Sequence, residues 1–289
     1  MSRRLIRLFA VASVVCASFS HGLAQSPSLP TAIPQTKFDS GQNVVPVYEG
    51  WIRNPDGTFD LVFGYFNRNY KEELAIPAGP GNLIEPGGPD RGQPTYFLPR
   101  RQPRLFRVRV PADFGQQTLV WTITMNGRAE KAYGALLPVE EINEKIIASG
   151  GNSAPFGDED PNRPPTISVA PVSHATVASP VTLTAMVADD GLPKPRTAPA
   201  RTASTTAGGR IERQVNSSGP ARPRGLTVRW FEYRGPTKVT FEPDGAIPVA
   251  GGIATATARF AAPGAYTLVG IANDGQLSER TTVTVTVEP

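Results

Sequence analysis

From residue 166 onward the chain repeats one short pattern, in which apolar and polar residues alternate until a turn residue intervenes. TISVAP, VTLTAMVA, LTVRWFEY, KVTFEP, ATATARFA, AYTLVGIA and TTVTVTVE all follow it. Side chains on a strand alternate between faces, so each segment carries one face for a core and one for water. No such strand can bury its apolar face alone, and seven of them predict two stacked antiparallel sheets, a β-sandwich. Trp230 lies on the third strand, where sandwiches often bury a ring between sheets.

The upstream half carries strand signals less regularly. VVPVYEGWIRN and GTFDLVFGYFN meet at Pro55-Asp56-Gly57, where proline presets φ and glycine accepts a positive one. IPAGPGNLIEPGGPDRGQPTYFLP has no period and is punctuated by six prolines and five glycines. In RLFRVRV, Leu105, Phe106, Val108 and Val110 sit among Arg104, Arg107 and Arg109, and TLVWTITMNGRAEKAYGAL holds the hairpin signal Asn126-Gly127. Together these predict one all-β unit over residues 42–137. LPVEEINEKIIASGG alone reads as a helix, with Val139, Ile142 and Ile146 on one face and Gly150-Gly151 as its stop. With the polar stretch NSAPFGDEDPNRPP it forms a connection over residues 138–163.

The opening MSRRLIRLFAVASVVCASFSHGLAQ has the parts of a secretory signal: Arg3, Arg4 and Arg7, an apolar run from Leu8 to Ala17, and small residues at Gly22 and Ala24. The run falls short of the roughly 20 residues of a membrane span, and Val15 before Cys16 is bulky for a lipid-attachment signal. Residues 1–24 are therefore expected to be cleaved and the chain exported, to the periplasm or beyond, with residues 25–41 as a flexible lead-in. Cleavage removes three arginines and no acid, so the net charge drops from +4 to +1 and gives no reason to expect nucleic acid. It also removes Cys16, the only cysteine, and His21, one of two histidines. Disulfides and His/Cys zinc sites are excluded, and a serine or cysteine triad would have to use His174. No later run is apolar enough to span a membrane, so no transmembrane segment is expected.

Three segments carry a resemblance: PVTLTAMVADDGLPKP, LTVRWFEYRGPTKVTFEP and ARFAAPGAYTLVGIANDGQLSERTTVTVTV. Over residues 164–288 the chain resembles a bacterial polycystic-kidney-disease-like (PKD-like) β-sandwich, a branch of the immunoglobulin-like superfold. Upstream, FGYFNRN, IPAGPGN, PDRGQPTYFLPRR and LVWTI resemble an uncharacterised β-module of bacterial surface proteins. The resemblance implies an all-β protein with two tandem immunoglobulin-like sandwiches, residues 42–137 and 164–289, joined by a short helix and a Pro-rich linker. It implies fold and compartment more than function.

Residues 191–225 depart from that compact form. They have no apolar period and carry Arg196, Arg201, Arg210, Arg213, Arg222 and Arg224. Such an insertion reads as disordered, or as an arm for an anionic partner. It lacks the interleaved aromatics of a base-stacking surface, so no nucleic acid is expected.

In a seven-strand sandwich the loops after the second and sixth strands share one end. That brings Asp189, Asp190 and Asp274 together, with Asn273 and Glu279 near. Calcium takes six to eight oxygens and would suit them, but Asp-Gly also ends strands as plain turn chemistry. No cofactor is expected, calcium being the one these residues could hold. Asp158, Glu159 and Asp160 offer a second acidic place in the linker. Arg100, Arg101, Arg104, Arg107 and Arg109 read as the solvated face of a half-buried strand. No pair of carboxylates or activated nucleophile is specified, since Glu72 and Glu73, like Glu140 and Glu141, are adjacent and point apart. The expectation is a non-catalytic secreted or envelope protein, an interaction, adhesion or spacer module for a protein or polysaccharide of the envelope. The alternative is a carbohydrate-binding accessory protein using Tyr65, Phe66, Tyr70, Tyr96 and Phe97.

Overall fold

The computed structural model describes residues 36–149, 161–172, 175–177, 179–194 and 225–289. The first half runs through β1 (Val44–Arg53), β2 (Phe59–Asn67), β3 (Leu74–Ala75), β4 (Asn82–Glu85), β5 (Tyr96–Phe97), β6 (Arg100–Val110), β7 (Leu119–Met125) and β8 (Arg128–Gly134). β1-β2-β6 and β4-β7-β8 are antiparallel three-stranded sheets, and β3 pairs with β5. Both turn signals are used: Gly57 has φ +84°, and Asn126-Gly127 have φ +50° and +71°, the pair of positive values a two-residue hairpin needs.

The two sheets enclose an aromatic core. Phe63 stacks on Phe106 at 5.6 Å between centroids, and Trp121 meets Phe106 edge-on at 4.9 Å. Such pairs add about 0.5–1.5 kcal/mol to their burial.

Outside the short ladders of β4 and β5, the stretch from residue 76 to 99 is held by buried amide side chains. Asn82 Nδ2 donates to Ile76 O (3.0 Å) and Pro94 O (2.8 Å), while its Oδ1 accepts from Trp121 Nε1 (2.8 Å). Gln93 Nε2 donates to Pro89 O and Asn82 O, and Gln93 Oε1 accepts from Arg91 N. Asn67 and Asn69 tie the end of β2 to Glu72, Phe97 and Gln42 in the same way. Asn67, Asn69, Asn82 and Gln93 are fully enclosed, and their hydrogen bonds are what make that enclosure tolerable.

The connection differs from the helix expected. A 3₁₀ turn at Pro138–Glu140 is followed by extended Glu141, then by α1 (Glu144–Ala148), capped by Asn143 Oδ1 accepting from Ile146 N. The break arises because Glu141 pairs with Trp51 of β1 and Ile142 N donates to Trp51 O (2.9 Å). The buried apolar residues become Ile142 and Ile147 against Ile52 and Val62, whereas Val139 is 91% exposed and Ile146 also faces water.

The second half holds β9 (Thr166–Val169), β10 (Ala175–Thr176), β11 (Val181–Ala188), β12 (Thr227–Arg234), β13 (Val239–Glu242), β14 (Ala246–Pro248), β15 (Ile253–Phe260), β16 (Gly264–Asn273) and β17 (Ser278–Glu288). All seven strands read from the alternation are present; β10 and β14 are too short to alternate. The sheets are ordered β13-β15-β11-β9 and β10-β17-β16-β12-β14. That order makes the second half an immunoglobulin-like β-sandwich, with β12, β16 and β17 as the C, F and G strands. Two further marks fit. Trp230 on β12 is buried against Gly270 of β16. Tyr266, near the start of β16, is fully enclosed and donates its hydroxyl to Ala262 O (2.8 Å), as in a tyrosine corner.

The five-stranded sheet is covered on both faces. Val228, Trp230, Tyr266 and Leu268 point into its own sandwich, while Phe231, Tyr233 and Val269 join the aromatic core of the first half, with Ile271 packed beside them. Arg234 pairs with Asp90 (2.7 Å), Lys238 with Glu73 (2.8 Å), Thr95 N donates to Tyr233 O, and the Tyr233 hydroxyl donates to Gly92 O. Burying each large apolar side chain contributes roughly 1.5–3 kcal/mol, an exposed ion pair about 0–1 kcal/mol. The apolar contacts therefore hold the junction, and the charges orient it. Phe38–Pro289 is accordingly one compact unit.

Candidate functional site

β11 and β16 both end at the same edge of the second sandwich, and their end loops carry the Asp-Gly motifs. Asp189 Oδ2 accepts from Gly191 N (2.9 Å); Asp274 Oδ1 accepts from Gln276 N (2.6 Å) and Leu277 N (2.7 Å). Each aspartate thus closes its own turn. Asp190 is fully used, its oxygens accepting from Leu192 N (2.9 Å) and Arg163 N (3.0 Å), which anchors the entry to β9. Asn273 Oδ1 caps Gly275 N, and Glu279 lies outside the cluster on β17.

Two oxygens are left over. Asp189 Oδ1 and Asp274 Oδ2 are buried without a hydrogen-bond donor, and Asp274 is only 5% exposed. Burial, and after it the charges of Asp274 and Asp190, raises the Asp189 carboxyl above its ordinary pKa. Each of the two aspartates thus keeps one buried oxygen that no donor satisfies. Among the described residues no group of three or more His, Cys, Asp or Glu is placed to hold a metal ion.

The arginine row is largely neutralised. Arg107 makes a two-pronged pair with Glu144 (2.6 Å each), Arg109 pairs with Asp60 (3.0 Å) and Arg101 with Glu49. Arg100 lies over the rings of Phe66 (4.7 Å) and Tyr70 (3.9 Å). Arg104 leaves the row. Between the pairs Phe63–Phe106 and Tyr65–Gln102, β2 supplies Gly64 alone and β6 supplies Pro103, Arg104 and Leu105. This bulge puts Arg104 at φ +48° and turns its side chain inward.

The proposed sugar-stacking row does not form. Tyr65 and Phe97 are buried in the first core and Tyr96 is buried with its hydroxyl on Glu73, while Phe66 and Tyr70 are partly buried beneath the Arg100 guanidinium. For Tyr65 and Phe97 the bland reading as core residues is the one observed.

One buried acid escaped sequence reasoning. Glu232 on β12 is 2% exposed; its Oε2 accepts from Val239 N (2.8 Å) and its Oε1 has no donor. Burial pushes its pKa up to about 8. It borders a cleft of about 450 Å³ that also includes Glu73, which is occupied by Lys238 Nζ (2.8 Å) and the Tyr96 hydroxyl (2.7 Å). Its only sequence signal was a glutamate inside an apolar strand.

Asp158, Glu159, Asp160, His174 and the basic residues Arg196, Arg201, Arg210, Arg213, Arg222 and Arg224 lie outside the described residues. Among those described, no helix is long and apolar enough to cross a membrane.

No protein-family model matches the chain, and no curated protein does. Among solved structures it is similar to the D00-D0 domain of intimin, at 11% identity over 86% of this chain and 100% of that one, with a TM-score of 0.27. Domains 4 and 5 of the S-layer protein SbsC match at 13% identity over 80% of this chain and 82% of that one, TM-score 0.24. A conjugative transposon lipoprotein from Bacteroides eggerthii DSM 20697 matches at 12% identity over 42% of this chain and 96% of that one, TM-score 0.26. At scores this low the assignment to an immunoglobulin-like sandwich stands on the sheet order above.

Proposed function

We propose that this is a non-catalytic exported protein of the bacterial envelope or its surroundings, an interaction and spacer module that holds loop surfaces in fixed register for a protein or polysaccharide partner. The observation that carries this is the shared core at the junction. A sheet buried on both faces by Phe231 and Tyr233 on one side and Trp230 and Tyr266 on the other cannot hinge. Loops on such a support are rigidly presented. Export rests on the signal-like opening of the sequence. The test is co-sedimentation of residues 25–289 with isolated bacterial envelopes and with purified peptidoglycan. Binding to a fraction is expected, and absence from all of them would sink this reading. The sugar-binding alternative is left with Phe66 and Tyr70, since Tyr65, Tyr96 and Phe97 are buried.

The two orphaned oxygens, Asp189 Oδ1 and Asp274 Oδ2, favour a second reading in which calcium completes the sandwich end. Calcium would raise the unfolding midpoint, and Asp274→Asn would remove the rise. A midpoint equal in calcium and chelator would leave both motifs as turns.

A further inference from the structure

The bulge in β6 delivers Arg104 into a cavity of about 480 Å³ at the junction, within the volume range of small-ligand sites. Its wall brings together Arg104, Arg107, Lys145, Arg163 and Arg280. Among the described lining residues the acids are Glu144, taken by both prongs of Arg107, and Glu279, and Lys145 has a partner of its own.

Two of these cations are partly buried and have no ion pair among the described residues. Arg280 Nη1 donates to Arg104 O (2.9 Å) and Leu105 O (2.7 Å), and among the described residues no ion pair reaches it. Burial first, then the like charge of Arg107, lowers its pKa. Arg104 Nε and Nη2 are buried and have no acceptor among the described residues. That edge of a guanidinium matches the two oxygens of a carboxylate or phosphate, and buried donors left unmade are costly enough to call for a partner. Leu105, Phe106 and Ile147 supply apolar wall beside the charges.

We propose that this cavity binds a small organic oxyanion, a carboxylate or phosphate on a body of about sugar size, with Arg104 gripping the anion and Arg280 supporting it. The reading goes beyond the spacer function and stands whether or not that function holds.

The experiment is isothermal titration of residues 25–289, in buffer free of phosphate and sulfate, with glucuronate, glucose 6-phosphate and uncharged glucose. Either or both anions should bind, glucose should not, and high salt should weaken the binding. Which anion binds separates a carboxylate from a phosphate ligand. Arg104→Gln should lower affinity about tenfold or more, while Arg109→Gln on the solvent face should change it less than about twofold. Matched unfolding midpoints establish that each variant is folded, and should Arg104→Gln fail to fold, Arg280→Lys and the salt dependence carry the test. No binding of either anion, or equal binding by the Arg104 variant, would overturn the proposal. So would binding that appears only after Asp158→Asn, Glu159→Gln and Asp160→Asn are combined, for the cavity would then answer to the chain's own carboxylates.

Discussion

The two cores solve one problem with different side chains. Between its short three-stranded sheets the first half places Trp51, Phe59, Phe63, Tyr65, Phe97, Phe106 and Trp121. The second half, with sheets of four and five strands, lines its interior with Ala185, Ala254, Ala256, Ala258 and Ala272 beside Val and Leu. Small side chains let wide sheets approach closely over many positions, whereas narrow sheets of three strands span the gap with a few large rings. Stability is therefore concentrated in the first half and distributed in the second.

Truncations should expose that difference. Trp121→Ala removes a fully enclosed ring and orphans Asn82 Oδ1, and should cost about 4–5 kcal/mol in urea unfolding. Leu183→Ala, equally enclosed on β11, should cost about 3 kcal/mol; a larger loss there than at Trp121 would break the contrast. Asn82→Ala strips partners from Ile76 O, Pro94 O and Trp121 Nε1, for an expected loss of about 2–4 kcal/mol. A near-neutral result would mean the amide network is dispensable.

Gly64→Ala sharpens the contrast at the bulge. A Cβ there would run into Gln102 O and come within 2.9 Å of Arg104 N. A loss of about 1–3 kcal/mol is expected, with a shift in hydrogen exchange confined to β6.

A further effect depends on pH. Folding raises the Glu232 pKa from 4.5 to about 8. Between those values the folded chain keeps a proton that the unfolded chain gives up, so this group's contribution to stability falls as pH rises and levels off above 8. Glu232→Gln does not ionise and should gain on the parent protein across that window, with the largest difference in midpoint above pH 8. An unchanging difference from pH 5 to pH 9 would place the Glu232 pKa near its ordinary value.

How much of this could be read beforehand follows from what pattern encodes. Alternation marked all seven strands of the second sandwich because Leu183, Ala185 and Val187 face in while Thr182, Met186 and Ala188 face out. LTVRWFEY also carried apolar residues on its other face, Phe231 and Tyr233, which is the mark of a strand covered twice. Asn67, Asn82 and Gln93 carry no pattern that marks them as buried, and only tertiary placement shows them inside. Helical spacing misjudged Val139 and Ile146 because a bridge from Glu141 to Trp51 took the segment first. Arg104 was read into an outward row because one bulge shifts a side chain off its face. Asp189 and Asp274 were brought together by topology, but their orphaned oxygens could not be foreseen.

The shared junction also sets an order of assembly. A chain is made from its N-terminal end, so the aromatic half is complete while residues 225–289 are still to come. Until Phe231, Tyr233 and Val269 arrive, the surface they will cover faces water, and such a patch is an aggregation hazard. The vulnerable moment of this molecule is thus its half-made state, and a fragment ending before β12 inherits that state permanently.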